Sequence, residues 1–112
     1  MKIYHNPRCS KSRQTLQLIK DSNASFEIIE YLNHAPSQEE IKDLLIKLNL
    51  NAEDIIRKGE LIYKENYKGK NLSNNEWIEA MNKHPKLMER PIVVKGNKAI
   101  IGRPPENVLK LL

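Results

Sequence analysis

A chain of 112 residues with 39% hydrophobic and 29% charged side chains has the size and composition of one globular domain, 1–112, rather than a disordered segment or two independent domains. No apolar run approaches the length of a bilayer span, and the start, MKIYHNPRC, lacks the sustained apolar region of a secretory signal, so a cytoplasmic protein with no membrane partner is expected. The net charge of +5 does not mark a nucleic-acid binder, because the lysines are scattered and interleaved with Asp and Glu, as in KDSNASFEIIE and SQEEIKDLL.

Residues 2–5, KIYH, read as a short strand that Asn6 and Pro7 terminate, since proline cannot join a central ladder. A helix follows from about Cys9 to Lys20, with Leu16 and Ile19 on one face, and SFEIIEYL (25–32) reads as a second strand. Strand, helix and strand in that order predict a right-handed crossover with the two strands parallel.

The middle of the chain, about 36–84, reads as a helical insertion. Ser37 and Glu40 have the capping-box spacing ahead of Ile41, Leu44, Leu45 and Leu48, which recur as one buried helical stripe. Asn51 can cap a short helix AEDIIRK that Gly59 closes, and ELIYKENY offers a further helical piece. Ser73 and Glu76 repeat the capping pattern before Trp77, Ile78 and Met81, and Pro85 marks the stop.

The period then changes. IVV (92–94) and AII (99–101) flank KGNK, whose Gly-Asn pair signals a two-residue hairpin turn. The end, RPPENVLKLL, reads as a helix opened by prolines with Val108, Leu109 and Leu112 on its apolar face. A parallel pair plus an antiparallel hairpin, packed with helices, predicts an α/β fold of thioredoxin-like (glutaredoxin) type, a four-stranded mixed sheet carrying a central helical insertion.

The chain has a single cysteine, so it cannot staple its own fold, and a reducing compartment keeps Cys9 a thiol. At a helix start, N–H groups without intrahelical partners and the positive end of the helix dipole favour both a thiolate and a bound oxyanion. Arg8 and Lys11 add positive charge, the Ser12 hydroxyl can donate to the sulfur, and His5 at the strand end can serve as an imidazolium or in proton transfer. The motif CSKS places Ser12 where Cys-x-x-Cys oxidoreductases carry a resolving thiol, so turnover at Cys9 needs a thiol from outside. Metal binding has little support: Cys9 with His5, His34 and His84 shows no ligand spacing, and no metal is expected.

YHNPRCSKSRQTL, RPIVV and IGRPPE, in that order over nearly the whole chain, resemble the glutaredoxin-dependent arsenate reductase family of bacteria. The resemblance implies a thioredoxin-like fold and an oxidoreductase of arsenical resistance, acting as a monomer with no bound cofactor. In it, Cys9 attacks arsenate as a thiolate, glutathione reduces the adduct and glutaredoxin clears the remaining mixed disulfide. It also implies that Arg57, Arg90 and Arg103 hold the oxyanion, as bidentate guanidinium groups do, and that the Arg90–Pro91 peptide is cis. Two alternatives stand beside it. Regulators of similar size that bind RNA polymerase generally carry Cys-x-x-Cys and lack the HNP start, and a glutathione-dependent thiol transferase needs Cys9 but not three oxyanion arginines.

Overall fold

The structure, a computed structural model, describes residues 1–112 and divides into two units, one formed by Met1–His34 with Arg90–Leu112 and the other by Ala35–Glu89. No helix is long and apolar enough to cross a membrane.

The first unit contains β1 (Lys2–Tyr4), α1 (Ser10–Asp21), β2 (Glu27–Ile29), β3 (Ile92–Lys95), β4 (Lys98–Ile101) and a terminal 3₁₀ helix, Pro105–Lys110. The strands form one sheet in the order β2-β1-β3-β4. β1 runs parallel to β2 and antiparallel to β3, and β3 pairs antiparallel with β4 through a turn in which Gly96 takes φ +61°. This is the mixed four-stranded, thioredoxin-like sheet that the sequence predicts.

Register explains the core of this unit. Ile3 lies opposite Val93, and Val93 opposite Ile100. Onto this row α1 brings Leu16 and Ile19, and the terminal helix brings Val108 and Leu111. Ile3, Ile19, Val93 and Val108 are fully buried, and each such side chain contributes about 1.5–3 kcal/mol relative to exposure. Because α1 and the terminal helix share this core, the start of α1 and the segment leaving β4 are brought together.

Three elements differ from the sequence reading. β2 ends at Ile29 rather than continuing to Leu32, because the Glu30 carbonyl accepts from the N–H groups of Asn33 (3.0 Å) and His34 (3.1 Å) and closes a turn. The terminal helix is 3₁₀, not α, so its buried positions follow a three-residue period: Pro105, Val108 and Leu111 face inward, whereas Leu109 and Leu112 are exposed. The helix expected over AEDIIRK is a 3₁₀ turn, Ala52–Ile55. It stops because Ile56 bridges to Met88 and the Arg57 N–H bonds the Leu87 carbonyl at 2.7 Å.

The second unit is helical: α2 (Gln38–Leu48), the Ala52–Ile55 turn, α3 (Leu61–Asn66), α4 (Asn74–Lys83) and a 3₁₀ turn, Pro85–Leu87. Ser37 caps α2 by accepting from the Glu40 N–H at 3.1 Å, and Ile41, Leu44 and Leu45 form its buried stripe. Ser73 and Glu76 cap α4 reciprocally at 3.2 and 3.0 Å. α4 buries Trp77, Ile78, Ala80 and Met81, with the Tyr63 and Tyr67 rings against the indole.

Candidate active site

The loop between β1 and α1 is built from its own side chains. The His5 N–H extends the ladder to the Ile29 carbonyl at 2.9 Å, after which Asn6 turns the chain. The Asn6 side-chain oxygen accepts from the Arg8 N–H at 3.0 Å, and its carbonyl accepts from the Cys9 N–H at 3.0 Å. Arg13 ties the loop down by donating from Nη1 to the Pro7 carbonyl at 2.9 Å. Cys9 is thereby the N-cap of α1, in an extended conformation (φ −94°, ψ 122°), with its carbonyl accepting the Arg13 N–H at 3.0 Å. Its sulfur stands at the open first turn and is only partly exposed.

Two arginines from the far end of the chain reach that sulfur. Arg103 donates from Nη2 to Cys9 Sγ at 3.3 Å and from Nε to the Arg90 carbonyl at 2.8 Å, and the Arg90 side chain is near enough to favour the thiolate as well. Burial, the largest single influence on the thiol, raises its pKa. The Ser12 N–H, the Arg90 side chain, the Arg103 charge and the Lys11 N–H together outweigh it and hold the thiol below its ordinary value. The Ser12 and Lys11 N–H groups belong to the open first turn of α1, where they have no intrahelical partner and favour the thiolate.

The Ser12 hydroxyl is placed differently from expectation, whereas His5 stands at the strand end as the sequence reads. Ser12 is fully buried, and its Oγ lies 2.7 Å from His5 Nδ1 while accepting from the Asn6 N–H at 3.0 Å. The hydroxyl is thus committed to the strand end rather than to the sulfur, and it fixes the loop that presents Cys9. Burial lowers the His5 pKa; Glu30 opposes this, while Lys20 and Arg13 reinforce it. Of the two roles that the sequence leaves open for His5, burial favours the neutral imidazole of proton transfer over the imidazolium.

Arg57 belongs to the unit Ala35–Glu89. There its Nε lies 3.4 Å from Glu60 and its Nη1 4.0 Å from Glu89. Its part in an oxyanion site is carried by the resemblance alone. The Arg90–Pro91 peptide is cis, and so is Arg103–Pro104, which the sequence reading does not single out.

The sequence reading also misses Gly102, Thr15 and Asn107. Thr15 is fully buried and donates to the Lys11 carbonyl at 2.8 Å. Asn107 donates from Nδ2 to the carbonyls of Arg103 (3.0 Å) and Ile101 (3.3 Å). The one legible signal is that Gly102 and Asn107 bracket Arg103 within the stretch GRPPEN.

The family model of the ArsC family matches residues 4–111. The chain is 49% identical over 114 residues to the uncharacterized protein YfgD of Escherichia coli K12, covering 100% of this chain and 96% of that protein. It is 42% identical over 114 residues to an arsenate reductase of Neisseria meningitidis serogroup A, covering 100% and 97%. A solved arsenate reductase from Vibrio cholerae superposes with a TM-score of 0.94 at 47% identity, covering 100% of this chain and 98% of that one.

Proposed function

The chain belongs to the ArsC family, and on that premise we propose that it is an arsenate reductase that works through one nucleophilic cysteine and thiols supplied from outside. The observation that carries this assignment is the Arg103 guanidinium 3.3 Å from the Cys9 sulfur at an open helix N-terminus. A site that stabilises a thiolate by surrounding it with N–H groups and guanidinium groups also attracts a tetrahedral oxyanion to that thiolate.

The Cys9 thiolate attacks arsenic and displaces one oxygen, which leaves as water after protonation. Arg90 and Arg103 offset the repulsion between thiolate and arsenate and the charge that grows on the arsenate oxygens during substitution. The resemblance adds Arg57 as a third oxyanion ligand. Reduction of arsenic from the pentavalent to the trivalent state takes two electrons, supplied by two thiols that end as a disulfide. With a single cysteine in the chain, at least one of those thiols and the thiol that restores Cys9 come from other molecules. The assignment gives these roles to glutathione and a glutaredoxin, for a monomer in a reducing cytoplasm.

The test is a coupled assay with arsenate, glutathione, a glutaredoxin, glutathione reductase and NADPH. Arsenite is expected to form in step with NADPH oxidation, and omission of glutathione or of glutaredoxin is expected to stop turnover. No arsenite in the complete mixture, together with retention of RNA polymerase in a pull-down, would move the chain to the regulator class.

A further inference from the structure

Arg103 can act on Cys9 only if the segment that carries it is held in place, and that segment has neither helix nor strand of its own. β4 ends at Ile101, and the terminal 3₁₀ helix begins at Pro105. The three residues between them, Gly102, Arg103 and Pro104, are fixed by contacts on several sides. The Gly102 N–H donates to the Pro91 carbonyl at 2.9 Å, and the Arg103 N–H folds back onto the Ile101 carbonyl at 2.9 Å. On the other side, Thr15 Oγ1 reaches the Gly102 carbonyl at 3.4 Å. The Asn107 amide then spans the glycine, donating to the carbonyls of Ile101 and Arg103 on either side of it.

The glycine is required by space. Gly102 has no positive φ, so its backbone suits any residue. A Cβ added there would lie 2.5 Å from Thr15 Oγ1, 2.8 Å from Pro91 Cγ and 3.0 Å from Thr15 Cγ2. Thr15 has little room to yield, being fully buried and bonded to the Lys11 carbonyl. Any larger residue must therefore push the 102–103 segment away from α1, and α1 is the helix that Cys9 caps.

We propose that Gly102 and Asn107 are positioning residues of the reductase site, which hold the Arg103 backbone against α1 so that its guanidinium is presented to the Cys9 sulfur. A guanidinium on a long stem loses rotamer freedom when it is fixed, and anchoring its backbone and its Nε in advance lowers the cost of each encounter with substrate. The proposal rests on the reading that Cys9 and Arg103 form the reactive pair. It does not depend on arsenate being the substrate, so it can be tested on the thiol alone.

The experiment is the rate of iodoacetamide alkylation of Cys9 against pH in wild type, Asn107→Ala, Asn107→Asp, Gly102→Ala, Arg103→Ala and the double variant Asn107→Ala/Arg103→Ala. Around the sulfur stand Arg90, Arg103 and the N–H groups of Lys11 and Ser12, and of these only Arg103 is expected to move in the Asn107 variants, whereas Gly102→Ala also presses on Pro91 beside Arg90. The midpoint should rise in Arg103→Ala and, by a smaller amount, in Asn107→Ala and Gly102→Ala. Asn107→Asp keeps the shape but turns the donor toward two carbonyls into a carboxylate that they repel, so its midpoint should rise at least as far as that of Asn107→Ala. Arsenate kcat/KM should fall by about 3- to 10-fold in Asn107→Ala, the scale of losing one or two neutral hydrogen bonds. In the Arg103→Ala background the Asn107 change should add nothing to either readout. An additive effect there would mean that Asn107 acts through general stability, and an unshifted midpoint in Asn107→Ala would remove the positioning role. If Gly102→Ala does not fold, the Asn107 variants carry the test. Failure of arsenate turnover in wild type with these midpoint shifts intact would overturn the substrate and leave the positioning role standing.

Discussion

Replacing Cys9 by serine is expected to abolish arsenate reduction, lowering kcat/KM by on the order of 10³-fold or more while leaving the fold intact, as loss of an enzyme's nucleophile does. A serine hydroxyl at this position would have to become an alkoxide. The arginines and helix N–H groups that bring a thiol into range cannot bring an alcohol there. His5 Nδ1 is engaged with the Ser12 hydroxyl at 2.7 Å rather than with residue 9. The same substitution should not cost stability. Cys9 is the N-cap of α1 with no side-chain cap hydrogen bond, and serine is among the best residues there, worth about 1 kcal/mol over a non-capping residue. An inactive variant that melts at or above the wild-type temperature separates chemistry from folding. A folded Cys9→Ser protein that still turned over at the wild-type rate would remove the cysteine from the mechanism.

The second large effect belongs to the arginines. Arg103→Ala and Arg90→Ala are each expected to lower arsenate kcat/KM by about 10²-fold, the scale seen when one preorganised donor to a developing oxyanion is deleted. Each loss should act twice, on the thiolate and on the bound oxyanion, because both side chains lower the pKa of the cysteine in the free protein. Arg103→Lys keeps the charge but not the fork that spans Arg90 O and Cys9 Sγ, and a smaller fall of about 10-fold is expected. A thiol transferase would tolerate these changes with near-normal removal of glutathione from a model disulfide. Equal arsenate turnover in wild type and in every folded arginine variant would contradict the oxyanion site.

The parts legible in the sequence are those governed by local pattern. The alternation of strand, helix and strand, the capping pairs at Ser37 and Ser73, and the Gly-Asn turn each follow from residues within one element, and each is present in the structure. The start of α1 at Cys9 was legible because Pro7 ends the strand and the polar run after it suits a helix start. The inward face of the terminal helix is not legible, because a single apolar pattern, Val108, Leu109, Leu111 and Leu112, fits two periods. Packing on Ile3 and Val93 selects the 3₁₀ face of Val108 and Leu111. The Cys9–Arg103 contact joins residues 94 apart in the chain, and no spacing rule spans that distance. It entered the sequence reading only through the likeness of HNPRC and IGRPPE to a known family. The direction of the Ser12 hydroxyl was not legible either, since it is decided by burial against the end of β1 rather than by distance from Cys9 along the helix.

In the proposed mechanism, arsenic is taken up by the Cys9 sulfur and released by external thiols. The most direct measurement is intact-mass spectrometry, with peptide mapping, of wild-type protein incubated with arsenate and glutathione and no glutaredoxin, then quenched in acid. The account predicts one arsenate-dependent adduct per chain, carrying arsenic or glutathione, on the peptide that contains Cys9, and its disappearance when glutaredoxin is added. A chain that stays at its unmodified mass while the same preparation goes on to make arsenite with glutaredoxin would contradict it.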